Sequence, residues 1–160
     1  MIIASMVVGA NGATSSAGSS APLQTAVDRE RFLLRRKNPE IQAILVGHRT
    51  TLVEPYDRSP HPLVIFSQRA IGAGSLERAF DDFIAKMRAE YPGKILCEGG
   101  ITLIHLLLAA NLIDIFYVSR VAFEGDDHFL DEELLLKRMR LVSKESYGDT
   151  SFERYERASR

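Results

Sequence analysis

The sequence holds one cysteine, Cys97, and no tryptophan among its 160 residues. A single thiol excludes an intramolecular disulfide framework and a cysteine-built metal cage. It fits a reducing, cytoplasmic compartment. Excess charge is also missing: 20 Lys and Arg oppose 21 Asp and Glu, for a formal net charge of −1. A general nucleic-acid binder needs a basic excess on one face to neutralise phosphates, so no nucleic-acid partner is expected. No run of like charge is long enough to act as a tail. The longest apolar run, 101–111, falls short of the roughly 20 residues that a membrane-spanning helix needs, so no membrane partner is expected either. Residues 1–8 are apolar without a basic flank, which argues against a signal peptide. His48, His61, His105 and His128 lack metal-ligand spacing. Asp126 and Asp127 beside His128 read as an acidic turn, and no metal is expected.

What is present is enough apolar material, 46% of residues, for one packed core. The length matches a single domain over 1–160, at about 100–200 residues per domain. Residues 2–8, rich in Ile and Val and stopped by Gly9, predict a buried first strand. Residues 9–22 are mostly Gly, Ala, Ser, Asn and Thr and predict a functional or disordered loop. Thr25 three residues before Asp28 resembles a capping box with the shorter acid. Val27, Phe32, Leu33 and Leu34 carry that helix to about Lys37, and Asn38-Pro39 ends it. Residues 42–47 are continuously apolar, the mark of a strand covered on both faces. A short helix is expected at 48–53, a loop around Pro55, Pro60 and Pro62, a strand at 63–66 and a break at 71–74.

Leu76, Ala79, Phe80, Phe83, Ile84, Met87 and Tyr91 recur at helical spacing. Ser75 is the expected N-cap and Pro92-Gly93 the stop. A strand at 94–97 and a helix at 101–110, apolar nearly all round and hence buried, follow. A strand at 115–123, a helical turn or two at 131–136 and a hairpin of 138–145 with 151–155 around Gly148-Asp149 complete the chain. Cys97 reads as an inert core thiol and His105 as a satisfied core or interface residue. Alternating strands and helices predict an α/β domain, with a mostly parallel central sheet and antiparallel strands at the C-terminus. No internal repeat is visible.

The informative pattern is glycine placed after buried strands, at Gly47 and again at Gly99 and Gly100. In parallel sheets ligands bind beyond the carboxyl ends of the strands. A helix opening there offers free N–H groups that suit phosphate. Two such junctions suit the two ends of a dinucleotide. Neither has the spacing G-x-x-x-x-G-K-[ST] or G-x-G-x-x-G, so the common nucleotide motifs are absent.

The segment A-I-L-V-G-H-R-T at 43–50, followed by E-G-G-I-T-L at 98–103, resembles the riboflavin-biosynthesis pyrimidine reductases. These are the RibD C-terminal domain family, which shares the dihydrofolate reductase fold. N-L-I-D at 111–114 looks like the family's G-L-[VI]-D element, and M-V-V-G-A-N-G at 6–12 like a degraded M-V-x-S-x-D-G. Other pieces look closer to dihydrofolate reductase itself: G-H-R-T at 47–50 to its G-R-K-T turn, D-R-E-R-F at 28–32 to its D-x-x-x-F, and E-G-D-D-H-F at 124–129 to its late G-D-[TS]-x-F loop.

The resemblance implies a three-layer dihydrofolate reductase-like fold, NADPH as cofactor and a pyrimidine- or pterin-like small-molecule substrate. It implies that Gly47, His48, Arg49 and Thr50 meet the cofactor phosphates. Ser67 and Arg69 would meet the 2′-phosphate, where a guanidinium fork selects NADPH over NADH. Gly99 and Gly100 would line the pyrophosphate or nicotinamide, and Asp28, Glu98 and Asn11 would face the substrate as the catalytic set. It further implies a homodimer pairing through the late strands. On residue type alone, Asp28 also fits a helix-N-terminal acid favoured by the dipole. Arg69 also fits a solvated loop charge. The chain departs from the family at Asn11, which stands for an acid and cannot take a proton, and at Gly9, which stands for a serine. The stretch 66–75 is short enough that a strand usual in the family is reduced or missing. Those departures leave open a reductase of another pterin or pyrimidine, or a non-catalytic nucleotide-binding or dimerisation domain.

Overall fold

A computed structural model describes residues 1–53, 56–68 and 75–158. Arg69, Pro55 and the break at 71–74 lie outside the described residues.

A seven-stranded sheet forms the frame, in the order β4-β3-β5-β1-β6-β9-β8. Its parallel part is β1 (Ile2–Val8), β3 (Ile41–Gly47), β4 (Leu63–Phe66), β5 (Lys94–Cys97) and β6 (Ile115–Arg120). Two late strands complete it: β9 (Thr150–Arg157) pairs antiparallel with β6, and β8 (Met139–Tyr147) pairs antiparallel with β9. The continuous apolarity of 42–47 has its expected cause. Ala43, Ile44, Leu45 and Val46 are all fully buried, because β3 runs inside the sheet with both faces covered. Only Met139 of β8 is buried. That strand has a single neighbour, so no buried face imposes alternation on it.

The helices are α1 (Ala26–Arg36), α2 (His48–Val53), α3 (Leu76–Glu90), α4 (Ile101–Ala109) and α5 (Glu132–Arg138). Thr25 caps α1, its Oγ1 accepting from the Asp28 N–H at 3.1 Å. Asp131 caps α5 in the same way through the Leu134 N–H at 2.8 Å. Ser75 occupies the N-cap position of α3, but its side chain makes no capping hydrogen bond. The α4 side chains Leu103, Ile104, Leu107 and Leu108 join Ile2, Leu45, Ile95, Phe116 and Leu135 in one core cluster. His105, on the same helix, accepts the Asp131 N–H at Nε2 (3.1 Å), and burial pulls its pKa down.

The early loop differs most from expectation. Within 9–22 lies a short strand β2 (Ala13–Ser15), and a 3-10 turn at Ala21–Leu23 closes the stretch. The strand pairs antiparallel with β7 (Asp127–Phe129), the stretch expected to be an acidic turn. Three-residue strands are too short to carry a period, and each forms only because its distant partner is there. The strand expected to reach 123 ends at Arg120. Beyond it the chain leaves the sheet, and the Phe123 carbonyl accepts the Ala10 N–H at 3.0 Å. Gly9 belongs to this junction. A Cβ there would lie 2.5 Å from the Phe123 oxygen, so the serine of the resembling family would not fit.

Candidate active site

A cleft of about 470 Å³ opens at the carboxyl ends of β1, β3 and β5, where parallel sheets bind ligands. Because β3 pairs directly with β5, the two glycine junctions are neighbours and build one continuous wall. The Gly47 N–H donates to the Gly99 carbonyl at 2.9 Å. Gly99 and Gly100 have φ of +109° and +62°, and a Cβ on Gly100 would stand 3.4 Å from Thr50 Oγ1 and 3.6 Å from the Gly47 Cα. Both residues need conformations that side chains disfavour, and the wall is left as bare backbone for close approach by a ligand. His48, Arg49, Thr50 and Ser67 line the same cleft, as does Gln68, which sequence reasoning did not single out.

The opposite end is set by α1. Asp28 is 6% exposed and lines the cleft together with Phe32 and with Ser5 and Met6 of β1. Burial raises the Asp28 pKa, while the Ser119 hydroxyl and the positive charge of Arg35 pull it back. The Thr25 cap uses only the Asp28 backbone N–H, which leaves its carboxylate free of the capping role.

Glu98 reaches the cleft wall but is already engaged. Its side chain is fully buried, and Arg36 grips both oxygens, Nε to Oε1 at 2.9 Å and Nη2 to Oε2 at 2.6 Å. The Arg36 guanidinium also lies 4.8 Å from the Phe32 ring centre and 5.1 Å from that of Tyr56. A bidentate pair of this kind orients both side chains and occupies the carboxylate that was expected to face substrate.

Asn11 is not brought to the cleft. Its Nδ2 donates to the Gly125 carbonyl at 2.7 Å, and its Oδ1 accepts from the N–H groups of Ala13 and Gly125, both at 3.2 Å. The amide staples the β1–β2 turn to the loop before β7, a task that needs a donor and an acceptor on one side chain. Asn11→Ala is expected to cost about 1–2 kcal/mol in urea unfolding, with nucleotide affinity unchanged. A loss of nucleotide affinity at full stability would return Asn11 to the site.

One wall of the cleft was not legible in the sequence. Thr14 and Ser15 of β2 and His128 of β7 line it. Ser15 Oγ lies 2.9 Å from His128 Nδ1, and Thr14 Oγ1 donates to the His128 carbonyl. His128 holds a φ of +60°, uncommon for a residue with a side chain. Cys97 is wholly buried beneath the cleft, its thiol pushed up to about 12 by desolvation, and is inert. Among the described residues no group of three or more His, Cys, Asp or Glu side chains is placed to hold a metal ion. No helix among them is long and apolar enough to cross a membrane.

No family model and no curated protein matches the chain. Solved structures do. Dihydrofolate reductase from Enterococcus faecalis, complexed with NADP(H) and RAB-propyl, superposes with a TM-score of 0.63 at 17% identity, covering 99% of this chain and 97% of that one. RibD from Acinetobacter baumannii gives 0.69 at 15% identity, with 99% of this chain covered. The Thermotoga maritima diaminohydroxyphosphoribosylaminopyrimidine deaminase/5-amino-6-(5-phosphoribosylamino)uracil reductase gives 0.71, also at 15% and 99%. The chain spans 58% of the Acinetobacter protein and 56% of the Thermotoga one. The fold is therefore dihydrofolate reductase-like. Within that class it is the fold found in RibD and in pyrimidine reductase-like proteins.

Proposed function

We propose that the protein is an NADPH-dependent reductase acting on a pyrimidine- or pterin-like small molecule. Its nearest counterpart in chemistry is 5-amino-6-(5-phosphoribosylamino)uracil reduction. The observation that carries this reading is the joining of both glycine junctions and the buried carboxyl of Asp28 in one cleft. NADPH, when bound, supplies a hydride. The bare wall of Gly47, Gly99 and Gly100 suits it, since Cβ atoms on Gly47 and Gly100 would meet Thr50 and each other's backbone and one on Gly99 would meet Met6. His48, Arg49 and Thr50 are assigned to its phosphates, and Ser67 and Arg69 to the 2′-phosphate. Asp28 is assigned to the N–H edge of the heterocycle, which it orients by charge-assisted hydrogen bonds. Glu98, held by Arg36, shapes the wall between the two ends.

The reading includes a homodimer through the late strands. In its support, β8 is an edge strand with Leu141, Val142 and Tyr147 exposed, an arrangement open to pairing with a second copy. Sedimentation of the purified chain at about twice its 17.9 kDa mass is the expected result, and a monomer at all concentrations removes that part.

Titration with NADPH and NADH, followed by nucleotide fluorescence, tests the main reading. The absence of tryptophan keeps the protein background low. Tighter binding of NADPH, weakened by Arg69→Ala more than NADH binding is, is expected. Binding of neither nucleotide would leave a relic of the fold and discard the reductase.

A further inference from the structure

Reduction of a C=O or C=N bond puts a hydride on carbon and a proton on the heteroatom. None of the groups assigned so far gives that proton. Asp28 orients the substrate as a carboxylate, and Glu98 is held on both oxygens by Arg36. Asn11 lies off the cleft and has no titratable proton. The β2–β7 ribbon supplies another titratable group, His128, which lines the cleft with Thr14 and Ser15. Its φ of +60° lies where glycine is the cheap choice, and backbone costs of this kind cluster at functional sites.

The ring is fixed at one nitrogen. Nδ1 lies 2.9 Å from Ser15 Oγ and 3.2 Å from Asp127 Oδ2. The carboxylate has no proton to donate, and the Ser15 hydroxyl has its own acceptor in the Asp127 carbonyl at 3.2 Å. Both oxygens therefore accept, and the proton of the neutral ring sits on Nδ1. Asp127 is itself fixed, its Oδ1 accepting the His128 N–H at 2.7 Å. Nε2 has no hydrogen-bond partner among the described residues. The charged groups around the ring are Asp127 on its own strand and Asp126 just before it, whose carboxylate accepts the Ala17 N–H at 3.2 Å. Asp28 lines the same cleft, and β2 carries hydroxyls but no charge.

We propose that His128 is a catalytic residue, the acid that gives the substrate its proton from Nε2. This rests on the reductase reading and adds the source of the proton. The Nε2–H bond of the imidazolium breaks and its electron pair stays on Nε2. An O–H or N–H bond forms at the heteroatom as the double bond opens. The substrate gains the hydride's electron pair, which the cofactor loses. The ring is left neutral with its proton on Nδ1, the tautomer that Ser15 and Asp127 hold. Those two are positioning residues. The side chain is 35% exposed, so solvent can return the proton to Nε2 for the next turnover.

The first test needs neither cofactor nor substrate. In the nitrogen-15-labelled full chain, two-bond N–H correlation spectra of the imidazoles are recorded, with His128 assigned through His128→Gln. The neutral ring is expected as the Nδ1–H tautomer, and an Nε2–H tautomer overturns the proposal. The second test follows NADPH oxidation across pH, with 5-amino-6-(5-phosphoribosylamino)uracil and with dihydrofolate as probes. His128→Gln is expected to lower kcat by about a hundredfold or more, the range of a lost general acid. The basic limb of the kcat profile should vanish, because the donor is active only when protonated. KM for NADPH and the acid limb due to Asp28 should stay. His128→Asn gives the same reading should His128→Gln not fold, since asparagine tolerates a positive φ. A wild type that reduces a probe while a folded His128 variant keeps kcat and the basic limb overturns the proposal alone. Failure of both variants to fold makes His128 structural and overturns it too. A wild type that oxidises NADPH with neither probe overturns the reductase reading and this proposal with it.

Discussion

Asp28→Asn is expected to lower kcat/KM for the heterocyclic substrate by about a hundredfold or more, while NADPH affinity stays within about threefold. A hydrogen bond to a charged group is worth about 1.5–3 kcal/mol, and each 1.4 kcal/mol is about tenfold. Two such bonds from one carboxylate to an N–H edge therefore account for at least two orders of magnitude. Asparagine fills the same space, but it presents one acceptor where the carboxylate has two, and no charge. The variant is also expected to lose the acid limb of the wild-type pH profile. That limb belongs above the ordinary aspartate range, because burial raises the Asp28 pKa.

The same shift has a stability sign. A carboxyl whose native pKa is raised contributes fully below its unfolded value of about 3.8 and loses that contribution as pH rises through the native value. Urea unfolding of Asp28→Asn against wild type should therefore grow more favourable to the variant as pH rises through that window. Steady-state kinetics across pH checks the main effect. Activity retained within threefold would reduce Asp28 to an acid at a helix N-terminus.

Glu98→Ala is expected to destabilise the fold by about 3–5 kcal/mol, the range for removing one partner of a buried ion pair. For a chain of this size that is a fall in Tm on the order of 6–20 °C. The Glu98 side chain is 0% exposed and that of Arg36 15%, so the deleted carboxylate leaves a guanidinium largely cut off from water. The double variant Glu98→Leu with Arg36→Met should recover most of the loss, since the apolar pair removes both charges together. Calorimetry of Glu98→Leu, Arg36→Met and the double measures the coupling. Additive losses would mean that the bidentate contact carries no coupling, and would return Glu98 to the list of residues that face substrate.

These two acids illustrate what a sequence discloses. Asp28 and Glu98 were both expected at the site, on resemblance and on their places at a helix start and a strand end. Their chemical states diverge because of partners distant in the chain. Arg36 lies 62 residues from Glu98 and takes its carboxylate. Asp28 keeps its carboxylate on the cleft, with Ser119 of β6 behind it. Asn11 shows the same limit from the other side. Its partner Gly125 is 114 residues away, so nothing local marks it as a staple for two loops.

The sequence by itself determined the elements with a sustained period or a continuous apolar run: β1, β3, β4, β5, α1, α3 and α4. It also determined the glycine junctions, because burial on both faces and tight strand-to-helix turns impose residue types locally. Tertiary structure alone decided the β2–β7 ribbon and with it the wall of Thr14, Ser15 and His128, for strands of three residues carry no period. It also decided which acid faces the cleft and which is spent on an arginine. Those outcomes depend on groups brought together by the strand order, and a buried charge takes its state from its neighbours in space.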